Sequence, residues 1–98
     1  MGIEVTGEAV EMLARSLELG GVDPATGGVR LRVARSLGGG NVLQVELADA
    51  LGTGENIIEK DGVRIFVDPT VEDAYPDAVV ELDPEHDRLA IRSVGDDG

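Results

Sequence analysis

Three acidic residues near the end of this 98-residue chain alternate as the first ligands of a calcium loop do: Asp83, Glu85 and Asp87. A loop of that type needs a glycine at its sixth position and a bidentate glutamate at its twelfth. Arg88 and Val94 stand at those two positions. The spacing therefore predicts a polar hairpin tip around Pro84 and not a calcium site.

A run of glycines, Gly38-Gly39-Gly40, has the composition of a phosphate-binding loop. That chemistry requires a glycine turn that opens a helix, so that backbone amides and the helix dipole meet the phosphate. Here the run leads into a predicted strand, Val42 to Leu47, and no Gly-Lys-Ser/Thr follows it. We therefore interpret the run as a loop that connects two strands.

The basic residues cluster at one place, where Arg30, Arg32 and Arg35 lie within six residues. On a strand, Arg30 and Arg32 share one face because side chains alternate with a period of two. These arginines form a candidate contact for an anionic ligand or partner. They could instead neutralise surrounding carboxylates, and this is the interpretation that the sequence favours.

The remaining chemistry-bearing residue types are scarce. The chain has no cysteine, which excludes disulfides, thiol catalysis and thiolate metal sites. His86 is the single histidine, so neither a histidine-rich metal site nor a Ser-His-Asp triad is indicated. No enzyme signature is present, and we predict that the protein is not an enzyme and has no cofactor.

Composition argues against two classes of partner, nucleic acids and membranes. Eight basic and twenty acidic residues give a net charge of −12, which argues against nucleic acid, because phosphate binding needs clustered cations. The excess lies in residues 49–98, where fourteen acids face four bases and give −10. No apolar run approaches the ~20 residues of a membrane helix, and we see no secretory signal. We expect a cytoplasmic protein with a solvated, acidic surface.

The elements that would carry these residues follow from hydrophobic periodicity. Ile3–Val5 alternates as a short strand, Thr6 is placed as a helix N-cap, and a helix is predicted from Glu8 to Leu19, ended by Gly20-Gly21. Further strands are predicted at 29–33, 42–47, 57–60, 63–67, 78–82 and 89–94. The Asp61-Gly62 pair predicts a type I′ hairpin, and Pro69 fits the start of one or two helical turns. One helix and six or seven strands without βαβ spacing indicate an α+β fold with mostly antiparallel sheet.

Three stretches in order resemble the HesB/IscA-type family, the A-type carriers of iron–sulfur cluster assembly. Ile3-Glu4-Val5-Thr6 with Ala9 resembles its opening strand and helix start, and residues 28–33 (GVRLRV) resemble its "G-V-R-L-x-V" strand. Residues 59–68 (EKDGVRIFVD) resemble its "D-G-V-x-V-x-V-D" hairpin. The resemblance runs over roughly residues 2–94. It implies a single HesB-like domain over 1–94, with two small mixed sheets and one packed N-terminal helix, and a frayed acidic tail over 95–98.

The resemblance also shows where this chain departs from the family. Members hold iron or a cluster through one cysteine in a "G-G-C-x-G" loop and two in a C-terminal "C-G-C" or "C-S-C". Gly38 stands at the position of the first cysteine, and the chain ends in Gly95-Asp96-Asp97-Gly98 without the pair. Because clusters depend on thiolates, the resemblance implies an inherited fold without cluster ligation and without a metal site.

The predicted function is therefore an accessory or partner-binding protein related to iron–sulfur cluster assembly, with a protein partner and compatible with a homodimer. The alternative is an acidic protein-interaction module that retains only the fold. A third interpretation, a small enzyme or a binder of metal through oxygen ligands, has less support.

Overall fold

The computed structural model describes residues 2–23, 25–35, 37–83, 85 and 88–94. Its elements, in chain order, are β1 (Gly2–Val5), α1 (Gly7–Gly20), β2 (Gly28–Arg35), β3 (Asn41–Ala48), β4 (Asn56–Lys60), β5 (Val63–Val67), α2 (Pro69–Ala74), β6 (Asp77–Asp83) and β7 (Arg88–Ser93). The predicted hairpin tip around Pro84, with His86 and Asp87, and the predicted tail over 95–98 lie outside the described residues. The domain limits stay a prediction.

The strands form two sheets. One has three strands in the order β1-β6-β7, and the other has four in the order β3-β2-β5-β4. The β1–β6 and β2–β5 pairs are parallel, and the other three pairs are antiparallel. The predicted α+β class with two small, mostly antiparallel mixed sheets is confirmed.

Helix α1 is capped at both ends by the residues that the sequence predicts for those positions. The hydroxyl of Thr6 accepts a hydrogen bond from the Ala9 amide at 3.3 Å, which satisfies one of the amides left free at a helix start. At the other end Gly21 adopts φ +69°, a left-handed conformation that costs glycine little. Ala9, Val10 and Leu13 are buried and attach the helix to the core.

The core lies between the two sheets and includes one face of the four-stranded sheet, the buried residues Val5, Val80 and Leu89 of the three-stranded sheet, and both helices. On β2 and β5 the residues that point inward alternate along the chain: Val29, Leu31, Val63, Ile65 and Val67. Val10 and Leu13 of α1 and Val71 of α2 join them. Phe66 is only 1% exposed although it points away from this cluster, so the outer face of β5 is covered at this position.

A short second helix, α2, follows the four-stranded sheet. The sequence predicts one or two turns over Val71–Tyr75, and the structure places the helix at Pro69–Ala74. It begins at Pro69, the residue that the sequence predicts for a helix start, and Asp68 caps it by accepting a hydrogen bond from the Thr70 amide at 2.9 Å. Among the described helices, none is long and apolar enough to cross a membrane.

Candidate functional site

The glycine run forms an exposed turn between β2 and β3. The strands pair up to Arg35 and Asn41, and the residues between them that the structure describes, 37–40, are all exposed. Gly39 has φ +94°, and a Cβ built there meets no atom within 4 Å. The turn joins two strands, as predicted, and it opens no helix that could present amides to a phosphate.

Arg30, on the outer face of β2, is held within its own chain. Its Nε donates to Glu55 Oε2, and its Nη2 donates to Glu55 Oε1 at 3.2 Å and to the Ala50 carbonyl at 3.1 Å. The Gly52 amide donates to Glu55 Oε1 at 2.7 Å. A bidentate arginine–carboxylate pair is both strong and directional, so Arg30 ties the β3–β4 connection to the sheet.

This pair is largely removed from water, with the side chains of Arg30 and Glu55 19% and 4% exposed. Burial alone raises the pKa of the Glu55 carboxyl, but the hydrogen bonds from Arg30 and the Gly52 amide outweigh it, and the pKa lies below its ordinary value. The hydrogen bond to Glu55 raises the pKa of Arg30. Both groups are therefore charged at neutral pH.

Arg32 lies on the same face and remains half exposed. Its Nη2 is 3.4 Å from Glu46 Oε1 on β3, and its Nε is 4.0 Å from Asp68 Oδ2. The hydrogen bond from the Thr70 amide, followed by that from the Thr70 hydroxyl and the charge of Arg32, lowers the pKa of Asp68 against the opposing effect of burial. Arg32 therefore lies between two carboxylates but keeps 44% of its side chain accessible.

Arg35 lies apart from the other two arginines. It is an odd number of residues away along a regularly paired strand, so its side chain points to the opposite face. It lines an open cleft of about 360 Å³ with Asn41, Thr70 and Asp73. No ion pair of Arg35 occurs within the described ranges. The three arginines thus do not form one patch: Arg30 and Arg32 share a face, and Arg35 borders a separate cleft beside the glycine turn.

Sequence reasoning missed Glu55, which decides the state of Arg30. The two residues are 25 positions apart and belong to no common pattern, so nothing in the sequence links them. The Lys60 ammonium was missed for the same reason; it donates to the Val5 carbonyl at 2.7 Å, 55 residues away.

Comparisons with known proteins identify the fold. No family model and no curated protein matches the sequence. The fold is similar to that of SufA of Escherichia coli, a protein involved in biosynthesis of iron–sulfur clusters. The TM-score is 0.69 and the sequence identity 19%, over 93% of this chain and 77% of SufA. IscA, solved with a [2Fe-2S] cluster, gives a TM-score of 0.72 and 18% identity over 93% and 82% of the two chains. A protein from Aquifex aeolicus, solved by NMR, gives 0.71 and 22% over 93% and 90%.

The donor set of this chain does not fit a cluster of the kind that IscA carries. Such clusters are held mainly by thiolates, and the chain has no cysteine. The turn that contains Gly38 is exposed and offers no side-chain donor at that position. In the part of the chain that the structure describes, no group of three His, Cys, Asp or Glu residues is arranged to hold a metal ion. The chain has the HesB/IscA-type fold, as its sequence motifs predicted, and it has this fold without a single thiol.

Proposed function

We propose that this protein is an accessory, partner-binding component related to iron–sulfur cluster assembly that does not itself ligate a cluster. The observation that supports it is a fold shared over 93% of the chain with SufA and IscA, combined with the absence of cysteine. Histidine and carboxylates are poor substitutes for thiolates toward iron in a sulfide cluster. Under this proposal the protein has no catalytic reaction, and its role is to bind another protein.

The arginine residues of β2 are the proposed contacts for an anionic group or partner. Arg32 keeps much of its guanidinium accessible, and Arg35 is exposed beside the glycine turn. Arg32 and Arg35 are two separate contacts, on opposite faces of β2, and Arg30 supports the face of Arg32 by holding the Ala50–Glu55 connection against it. On a protein with net charge −12, such positions are where an acidic partner meets the least repulsion.

Anaerobic reconstitution tests the absence of cluster ligation. The protein is incubated with ferrous iron and sulfide, passed through gel filtration and assayed for iron, sulfide and visible absorption. IscA, which has been solved with a [2Fe-2S] cluster, is treated in parallel as the positive control. We expect background iron and sulfide. Stoichiometric iron and sulfide that co-elute with charge-transfer bands would overturn this part of the proposal.

Affinity capture from the native cells, at their own salt concentration, tests the link to cluster assembly. We expect cluster-assembly proteins among the captured partners, and a reduced yield for the Arg32→Ala/Arg35→Ala variant. Arg92→Ala is a matched control, because Arg92 is also exposed and paired to a carboxylate, Glu81, at 3.2 Å, but lies on the other sheet. Capture of a reproducible partner set without any cluster-assembly protein would favour the alternative, an acidic interaction module without a link to iron. Cytoplasmic location is part of the proposal and is tested by imaging a tagged copy.

A further inference from the structure

Strand β3 is a sheet edge that lacks the usual protection against pairing with another strand. Among the described strands it pairs only with β2, and it is eight residues long. Proteins protect such edges with short strands, lysine, proline or bulges. β3 (NVLQVELA) contains no lysine, arginine or proline, and its single charge, Glu46, lies 3.4 Å from Arg32 on β2.

The other edge strands carry such protection. β1 has four residues, and β4 has five and ends in Lys60, whose ammonium reaches across to the Val5 carbonyl of β1. β7 carries Arg88 and Arg92. Among the edges that the structure describes, β3 is thus the longest and has the fewest charges for its length.

The inward face of β3 is apolar and open. Val45 and Leu47 are each 41% exposed, and Leu43 is half buried. Next to them lies a groove of about 230 Å³ between β3, α1 and the start of β7, and its lining includes Met12, Leu43 and Leu89. A neighbouring strand at this edge would cover apolar side chains that the fold leaves in water.

We propose that β3 pairs antiparallel with β3 of a second copy of this chain, about a two-fold axis through Val45. This proposal does not rest on the proposed function. In an antiparallel pair, two directly opposite residues point to the same face of the sheet. A two-fold symmetric pair must therefore place one residue directly opposite the same residue of the partner, with the axis between them. With the axis at Val45, the two valines face each other, Leu43 faces the partner's Leu47, and Gln44 faces the partner's Glu46.

Of the registers centred on Gln44, Val45 and Glu46, the one at Val45 matches the chemistry of the strand and pairs most of its length. An axis through Gln44 sets the Glu46 carboxylate against the partner's Val42, and an axis through Glu46 brings two like charges together, which is destabilising. The axis at Val45 pairs apolar residues on one face and an amide with a carboxylate on the other. It also uses residues 42–48, nearly the whole strand, and joins the two four-stranded sheets into one of eight strands.

The net charge of −12 on each copy opposes this association and gives it a recognisable salt dependence. Counterions screen charges beyond a Debye length, which shortens from about 10 Å at 0.1 M to about 3 Å at 1 M salt. Dimerisation is therefore expected to strengthen as sodium chloride rises, and not to weaken as it would if ion pairs held the interface.

Sedimentation equilibrium at 0.1 M and 1 M sodium chloride tests the pairing with three variants. Val45→Lys places two ammonium groups opposite each other and is expected to raise the dimer Kd by about tenfold or more. Gln44→Lys faces the partner's Glu46 twice and is expected to lower the Kd. Ile57→Lys, a 45% exposed position on the opposite edge strand β4, should leave the Kd unchanged. A protein that is monomeric at millimolar concentration in both salts, or a dimer that survives Val45→Lys, would overturn the proposal.

Disulfide trapping tests the register independently, since the chain has no thiol of its own. Directly opposite residues in an antiparallel pair have Cα atoms about 4.5–5.5 Å apart, within the range that a disulfide spans. Under mild oxidation Val45→Cys should give a covalent dimer, and a mixture of Leu43→Cys and Leu47→Cys should cross-link faster than either alone. Val45→Cys cross-linking no faster than the control Ile57→Cys would contradict the proposed axis.

Discussion

The buried ion pair between Arg30 and Glu55 makes a quantitative prediction about stability. Replacing Arg30 with methionine keeps an apolar stem on β2 but removes both guanidinium hydrogen bonds to Glu55. The carboxylate, 4% exposed, then keeps only its hydrogen bond from the Gly52 amide. Breaking a buried pair by removing one partner costs about 3–5 kcal/mol, because it leaves a buried charge uncompensated.

The connection that carries Glu55 moderates this cost. Ala50–Glu55 lies at the protein surface, so it can lift away and return the carboxylate to water. We therefore expect the free energy of unfolding to fall by about 2–3 kcal/mol, near the value for hydrogen bonds to charged groups. In a domain of this size that loss corresponds to a drop in Tm of about 10–20 °C.

Urea denaturation at several pH values measures the effect, and the pH dependence has a defined sign. In the unaltered protein the pKa of Glu55 lies below its unfolded value, so its contribution is present above the unfolded pKa and is lost as the pH falls through the folded pKa. In Arg30→Met the hydrogen bonds from the guanidinium that lower the pKa of Glu55 are lost and the carboxylate returns to water, so this group no longer makes the stability of the variant fall with acid. The difference in stability should thus be largest near pH 7 and shrink below about pH 4.3, the ordinary pKa of a glutamate.

Arg32→Met is the matched control on the same face. Its ion pairs are longer and more exposed, so we expect a loss of no more than about 0.5–1 kcal/mol. If Arg30→Met costs no more than this control, or if its cost does not change with pH, then the assignment of Glu55 as a buried, charged partner is wrong.

Three further predictions follow from the charge, the glycine turn and the cap of α2. The denaturant midpoint should rise with sodium chloride, because residues 49–98 carry −10 and repel each other; a flat or falling midpoint would show that the acids are too widely spaced to matter. Gly38→Cys should leave the iron affinity measured by titration nearly unchanged, because one thiolate on an exposed turn cannot replace several. The same variant with a C-terminal Cys-Gly-Cys extension is the comparison. Tight iron binding by the monomeric single variant would show that nearby groups already form most of a metal site. Asp68→Ala removes the acceptor for the Thr70 amide and should lower the free energy of unfolding by about 1 kcal/mol in thermal melts, with Asp68→Asn, a competent cap, losing less; equal losses would assign the effect to charge.

Local backbone chemistry could be predicted from the sequence alone. Thr6 caps α1 and Gly21 ends it because each acts on backbone groups within four residues of itself. The Asp61-Gly62 turn has positive φ at both residues, 52° and 82°, as a type I′ turn requires. Alternation gave the strands of the sheets to within two or three residues at each end. The ordered motifs also gave the HesB/IscA-type fold, and the absence of cysteine required only a count.

The tertiary structure decided which distant residues meet. The parallel pairing of β1 with β6 joins residues about 75 positions apart, and no local pattern encodes it. The sequence presented Arg30, Arg32 and Arg35 as one cluster, but the pleat of β2 turns Arg35 away, and Glu55 engages Arg30 from 25 residues along the chain. Phe66 alternates as a solvent-facing residue and is nevertheless 1% exposed, so other parts of the chain cover this position on the outer face of the sheet. Periodicity reports on a residue's own strand, whereas burial and ion pairing depend on what the rest of the chain places against it.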